Sequence, residues 1–590
     1  MEYKEEKKIH STGSVSATCQ NCKNSFVIEK EDFNFYEKIK VPPPTFCPEC
    51  RLIRRMAWRN ERALFHTNCD SCKKRIFSAY PSERPYPVFC HDCWFGDAWD
   101  PMEYGKEYDF SKTFFAQFKE LFDKVPRLNL FHVNPINSQY SNITRDCKNV
   151  YLSYSIVEGE DVYYSKNVDR SRQIYDSLTL TDCEKSAHIV YGMNSYNTFY
   201  SVIIRDCIDS MFLFDCKNCS HCFMSANLRN QQYVFRGQKY SKEKYQSLIN
   251  EINIGSYKEL QKLVVEFEKM KLEAIHKYAD IIQGVKSTGD ALVNVKDAKE
   301  CFEAYDMENV KWVSRSFSLR DAYDCNYSGL HSEIVYEYIS GGKGQMRVFF
   351  SVAATNPLQD SYYTGWCGGS NLFGCFGVRD KSYCILNKQY EKVEYEKILS
   401  KIIEQMKTLP YEGKNGRRYG FGEFFPIELS PFAYNESLAH EFSPLPEQKV
   451  KEKGYIWKES EKKDYKITIK SSDLPDNVSE VGNNVLKEII GCEHEGKCSH
   501  QCTKAFIIHP EELAYYRNTG LPLPRLCPNC RYYKRLEYRK PWKLWHRSCM
   551  CDKKGHFHGE KHCEVEFETS YAPDRPEIVY CERCYQQEVY

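Results

Sequence analysis

Eight cysteines near the start of the chain fall into four Cys-x-x-Cys pairs: Cys19/Cys22, Cys47/Cys50, Cys69/Cys72 and Cys90/Cys93. In a knuckle of this spacing both thiolates reach one ion, and the backbone N–H groups point at the sulfurs. Two knuckles roughly 20 residues apart complete a tetrahedral site of four thiolates. Redox disulfides or chance would not pair the knuckles twice in series.

The far end repeats the pattern at an offset of 480. Phe26-Val-Ile matches Phe506-Ile-Ile, Tyr36 matches Tyr516, and Cys47-Pro-Glu-Cys50-Arg51 matches Cys527-Pro-Asn-Cys530-Arg531. His66-x-x-Cys69 matches His546-x-x-Cys549 at that offset, and further on Cys90-x-x-Cys93 matches Cys581-x-x-Cys584 at an offset of 491. The copy is imperfect: its first and third knuckles read Cys498-x-x-x-Cys502 and Cys549-x-Cys551. Spare donors lie beside them, Cys492, His494 and His500 at one and His556, His558, His562 and Cys563 at the other. The expected ligands are therefore the eight N-terminal cysteines with Cys498, Cys502, Cys527, Cys530, Cys549, Cys551, Cys581 and Cys584, holding about four structural zinc ions.

Cys19-x-x-Cys22, Phe26, Glu31, Phe35-Tyr36, Pro44 and Cys47-Pro-Glu-Cys50-Arg51 resemble the probable zinc-ribbon family, with its treble-clef-like knuckle. The stretch from Cys498 to Arg531 is similar to it too. The whole layout, including Phe424-Phe-Pro-Ile-Glu-Leu-Ser-Pro-Phe432, resembles a bacterial family of zinc-ribbon and repeat proteins. The resemblance implies zinc binding and brings no activity with it.

The elements that position these ends are a repeat. Tyr151, Tyr163, Tyr175, Ala187, Phe199, Met211, Phe223 and Phe235 recur every 12 residues. Each follows Val150, Val162, Ile174, Ser186, Thr198, Ser210, Cys222 or Val234. Four positions before the aromatic column lies a small residue, such as Cys147, Cys183, Cys207 or Cys219; five before lies a polar one, such as Asp146, Asp182 or Asp206. A unit of one polar turn and one short apolar strand cannot bury its face alone, so stacked copies are expected. A β-solenoid-like stack fits; a plain antiparallel meander is the alternative.

A second block carries Asp297, Asn309, Asp321, Glu333 and Gln345 at the same period. Phe349-Phe-Ser-Val352 copies Phe199-Tyr-Ser-Val202 at an offset of 150, as Tyr383 to Tyr390 copies Tyr233 to Tyr240. Amphipathic helices are expected after each block, over about 241–282 and 391–408, packing on a stack end. The expected class is mainly β with helices: a double zinc-ribbon module over 1–135, repeat blocks with their helices over 136–290 and 291–408, a loop-rich linker over 409–490, and a second double module over 491–590.

Two further constellations could do chemistry. Asp146, Asp182 and Asp206 share a column and could act as paired carboxylates, although Asp also serves turns. The small Cys column reads as packing, and Cys216, Cys219, His221 and Cys222 form a denser knot that could take a metal. No phosphate loop, nucleophile elbow or dinucleotide fingerprint is present, so no enzyme and no small-molecule substrate is expected.

After the second knuckle Arg51, Arg54, Arg55, Arg59 and Arg62 fall on one helical face with Trp58. The copy carries Arg531, Lys534, Arg535, Arg539 and Lys543 with Tyr538 and Trp542. Such a face suits phosphate contacts and base stacking. Otherwise it is a helix face whose arginines meet the acids of the repeats.

The 590 residues carry 82 Lys plus Arg against 81 Asp plus Glu, a net charge of +1, which excludes a globally basic nucleic-acid coat. Charged residues at 28% and hydrophobic residues at 42% exclude a disordered chain. No stretch of about 18 apolar residues is present, and Met1 to His10 has no apolar core, so neither a membrane span nor a secretory signal is expected. With 29 cysteines, that points to a reducing, cytoplasmic setting in which cysteine pairs hold metal. The expected role is macromolecular binding, of nucleic acid or ribonucleoprotein through the arginine helices. The alternatives are a protein-interaction scaffold and a carbohydrate-active solenoid enzyme, the last disfavoured by the missing export signal.

Overall fold

A computed structural model describes residues 8–9, 13–311, 319–320, 326, 332–339, 344–459 and 465–590. It is a mixed strand and helix structure around a large 14-stranded sheet that runs from His132–Val133 to Gln238–Lys239. Apart from the closing antiparallel hairpin, strand partners in this sheet are parallel and 12 residues apart, as in Lys148↔Glu160, Tyr154↔Lys166 and Tyr196↔Ile208. The aromatic column is one continuous register, in which Tyr151, Tyr163 and Tyr175 lead through Ala187 to Phe199.

A second period, of three, lies inside the 12 and was not expected. From Ile143 to Arg236 every third residue has a positive φ, for example Asp146 at 53°, Asn149 at 55° and Leu152 at 42°. Each 12-residue step therefore turns four corners. Asn and Asp tolerate that left-handed backbone best, which accounts for the polar columns. The side chain that points inward also recurs every third residue. Val150, Ile156, Val162, Val168, Ile174 and Leu180 are all fully buried.

Serine fills the other inward places. Ser165 Oγ donates to the Tyr163 carbonyl at 2.8 Å and accepts the Ser177 N–H at 3.0 Å. One hydroxyl thus bridges consecutive steps and is itself matched as donor and acceptor. The cysteines of the column take the same place: Cys183 Sγ donates to the Thr181 carbonyl, and burial pushes its thiol up to about 11. Cys216 and Cys222 likewise donate to carbonyls of their own strands, while His221 sits half-exposed beside Tyr233 and does not join them. On the outer corners side chains pair one step apart, as Arg170 with Asp182 and Asn194 with Asp206. The Asp column is therefore spread along a corner, not gathered into a carboxylate pair.

The second block is less regular than its sequence period. A three-stranded parallel sheet spans Ile281 to Lys311, and a seven-stranded sheet runs from Leu319 to Gln389. Pairing steps are 12 residues at Gly289↔Cys301 but 13 at Glu333↔Met346 and Gln345↔Leu358. Glu333 and Gln345 thus do not share a column, and Asp321 lies outside the described residues. The offset of 150 does hold at the end of each block, where the hairpin strand Gln238–Lys239 has its counterpart in Lys388–Gln389.

The stretch expected as one helix over 241–282 is two helices, Lys242–Asn250 and Tyr257–Glu273, followed by a strand at Ile275–Lys277. The break falls at Ile254-Gly255, where Asn477 and Gly520 crowd the glycine and leave no room for a Cβ. The second helix lays Leu260, Leu263 and Phe267 along the flank of the sheet, with Phe267 against Phe212. Lys392–Thr408 follows the second block as one helix. Residues 409–459 and 465–490 are loops with short helices and two-residue strands, pinned by the fully buried Phe424 and Phe425.

Exchanging Ile174 for Asp would bring a charge into the enclosed column at a cost of several kcal/mol. Urea denaturation should show severe loss of stability for Ile174→Asp and almost none for Lys148→Ala on the outer corner.

Candidate metal centres and the arginine helices

Each N-terminal cluster is built from a hairpin turn and a helix start. Strands Val15–Thr18 and Ser25–Ile28 form a hairpin whose tip holds Cys19 and Cys22, with Lys23 left-handed at φ 65°. The helix Pro48–Met56 begins at Cys47 with proline in its first turn, where a missing N–H costs nothing. The Cys47 N–H donates to Cys19 Sγ at 3.3 Å, and Cys22 and Cys47 Sγ lie 3.7 Å apart. The second cluster repeats this with the hairpin Phe65–Asn68/Arg75–Ser78 and the helix His91–Phe95: Cys90 N–H reaches Cys69 Sγ at 3.3 Å, and Cys72 Sγ is 3.8 Å from Cys90 Sγ.

These separations test the donor set. With a Zn–S bond near 2.3 Å, the edge of a tetrahedron of thiolates is about 3.8 Å. Cys19/Cys22/Cys47/Cys50 and Cys69/Cys72/Cys90/Cys93 each converge in this way and could hold a metal ion. Without an ion the thiols share protons. Cys19 is held far below the ordinary thiol range by S–H bonds from Cys47 and Cys50, while Cys47 is pushed up to about 12, chiefly by its bond to Cys19. A divalent cation bound there would replace those shared protons.

At the C-terminal end the ligands differ from expectation. Cys492, Cys502, Cys527 and Cys530 converge, so Cys492 stands where Cys498 was expected. Cys527 N–H donates to Cys492 Sγ at 3.2 Å, the counterpart of the bond from Cys47 to Cys19. In the other cluster Cys549, Cys563, Cys581 and Cys584 converge, so Cys563 replaces Cys551. Cys581 N–H reaches Cys549 Sγ at 3.2 Å, and Cys563 Sγ is 3.9 Å from Cys581 Sγ. Cys551 faces His556 Nδ1 at 3.3 Å instead. The signal was present in the offset. Position 499, the counterpart of Cys19, is Ser499, so the knuckle had to recruit a more distant cysteine.

The arginine faces point inward, which overturns their reading as solvent-facing phosphate contacts. Arg51, Arg54 and Arg55 are buried, and so is Arg59, which pairs with Glu61 at 2.7 Å. Arg54 makes a two-pronged pair with Glu337 at 2.7 and 2.8 Å and a further one with Glu423 at 2.7 Å. Trp58 packs against Phe122 and Phe425. Arg62 lies over the Tyr532 ring at 3.6 Å, and Arg539 over Phe442 at 4.0 Å. In the second helix, Pro528–Leu536, Arg531 and Arg535 each reach Asp176 at 2.6 Å. Of the thirteen residues on the two faces, Lys534 and Lys543 are exposed.

The two docks are copies. Arg55 donates to Asn326 at 2.8 Å as Arg535 does to Asp176; the arginines differ by the offset of 480 and their partners by the offset of 150. The first arginine helix thus plugs into the second repeat block, and the second helix into the first block. Between them lies Lys166, shut from solvent, 2.8 Å from both Glu61 and Glu441. The two terminal modules touch: Arg62 donates to Asn529 at 2.9 Å, and Lys543 pairs with Glu49 at 2.5 Å.

Comparison with known proteins finds no matching family model, no curated relative and no similar solved structure.

Burial works against the charge on Asp176, but Arg531 and Arg535 outweigh it and hold its carboxyl below the usual range. Its contribution to stability is therefore complete above the ordinary carboxylate pKa and is lost as pH falls through the depressed value. Asp176→Ala would strand two buried guanidinium groups and should cost about 3–5 kcal/mol in urea denaturation at neutral pH. Exposed Lys534→Ala should change stability by less than about 0.5 kcal/mol.

Proposed function

We propose that the chain is a non-enzymatic zinc protein of zinc-ribbon type. In this reading its repeats form a β-solenoid scaffold for protein partners, and the zinc modules brace that scaffold from both ends. Thiolate clusters with edges of 3.7 to 3.9 Å support zinc as the metal. The stacking by 12 with four corners per step supports the solenoid. All described cysteines are free thiols, which fits the reducing interior of a cell. No helix among the described residues is long and apolar enough to cross a membrane.

The observation that carries the choice of partner is one outer column of the stack. Lys148, Glu160, Arg172 and Glu184 alternate in sign and pair with one another, followed by exposed Tyr196 and Ile208. Alternating charge offers phosphates no sustained positive field, whereas mixed charge beside exposed apolar residues suits a protein surface. The arginine helices, spent on internal carboxylates, support the same preference over nucleic acid.

Labelled single-stranded RNA and duplex DNA, titrated against the intact protein at two salt concentrations, test the choice. The reading expects no salt-dependent binding. It also expects Arg54, Arg55 and Arg59 changed together to Ala to lower the midpoint of urea unfolding. Tight binding that weakens steeply with salt, lost in a triple variant that remains fully folded, would return the proposal to nucleic acid.

A further inference from the structure

We propose that the cluster at Cys530 holds two metal ions bridged by the Cys530 thiolate, an inference that rests on the zinc reading above. The first knuckle of the N-terminal module spans two residues between Cys19 and Cys22, whereas nine lie between Cys492 and Cys502. The insertion is rich in donors. His494, Cys498 and His500 all come from it, and their ligand atoms converge on Cys530 within 4.8 Å of one another. Cys530 therefore belongs to two donor sets, one of four thiolates and one of two imidazoles and two thiolates. Each set is complete for a tetrahedral ion.

The distances fit a shared sulfur. Cys530 Sγ lies 3.9 Å from Cys492 Sγ in the first set and 3.6 Å from Cys498 Sγ in the second. Both match the tetrahedral edge of about 3.8 Å expected for bound zinc. The two Nδ1 atoms of His494 and His500 are buried and meet no hydrogen-bond partner among the described residues. A buried, unmatched ring nitrogen is costly unless a ligand takes it.

The N-terminal copy shows what Cys530 would otherwise do. There Cys50 uses its second lone pair to accept from Asn21 Nδ2 at 3.2 Å. The counterpart of Asn21 is Gln501, which donates to the Asn435 carbonyl at 2.6 Å and so leaves Cys530. Cys498 takes that side of the sulfur. Binding the second ion releases the Cys498 proton to solvent; the two imidazoles bind as neutral rings. Five thiolates against two dications leave a net charge of −1, with Lys534 one turn along the helix from Cys530.

The test is elemental analysis and native mass spectrometry of the full chain purified in zinc. Wild type is compared with His494→Ala/His500→Ala and, independently, with Cys498→Ser. The expected result is five zinc ions in wild type and four in either variant, the remaining Cys530 ion being held by its four cysteines. Equal metal content in wild type and variants overturns the second ion while leaving the four-cysteine sites intact. Zero or one ion in wild type overturns the zinc reading itself. A readout without substitutions uses cobalt(II) in the intact protein. A thiolate bridge couples two spins, so the electron paramagnetic resonance signal should integrate to fewer spins than cobalt bound; equality would overturn the bridge.

Discussion

An arginine taken out of water must be met by a carboxylate, and this requirement organises the molecule. Arg54 is held by Glu337 and Glu423, while Arg531 and Arg535 are held by Asp176. Removing either side of such a pair leaves an uncompensated buried charge, which is far more destabilising than the pair is stabilising. The interaction therefore specifies one seating for each terminal module on the repeat blocks. It explains why helices that begin at the clustered cysteines carry a dense basic face in a chain of almost neutral charge.

The seating is crosswise. The N-terminal module docks on the second block and the C-terminal module on the first, so the chain closes on itself. Aromatic packing follows the same plan: Tyr175 of the first block stacks on Tyr515 with ring centres 3.6 Å apart, and Tyr336 of the second meets Tyr36 at 5.4 Å. The linker is part of the lock. It supplies Glu423 to one arginine and Glu441 to the buried Lys166, and it threads Phe425 between Trp58 and Phe118. The cysteine clusters join the hairpin to the helix start within each module, and the arginines fix the module to the rest.

Much of this was legible in the sequence, and the failures have physical causes. The Cys-x-x-Cys spacing fixed the N-terminal sites because two knuckles suffice for a tetrahedron. At the C-terminal end proximity in sequence was an incomplete guide: loop insertions bring Cys492 and Cys563 into the four-cysteine groups, while Cys498 joins His494 and His500 on Cys530. The period of 12 was visible through the aromatics, yet those side chains face outward, where Tyr175 meets Tyr515 and Phe223 and Phe235 join the cluster of Leu260, Leu263 and Phe267. The inner core is the less conspicuous column of Val150, Val162 and Ile174, and the period of three was hidden because serine, cysteine and valine share it. Helical spacing placed the arginines on one face but carried no information on what that face meets. Only the long-range pairing of Arg535 with Asp176 decides that, across more than half the chain.

Zero-length carbodiimide coupling of the intact monomer, followed by peptide mapping, addresses the crosswise closure most directly, because it joins a lysine only to a carboxylate already in contact. The account predicts coupling of Glu582 to Lys277, which lie 3.0 Å apart, and of Glu107 to Lys388, at 2.6 Å, in the monomer band. Coupling of Lys148 to Glu160 within the repeat, at 2.7 Å, reports that the reaction worked. Recovery of that local product without either long-range product would contradict the closure of the two ends on the opposite blocks.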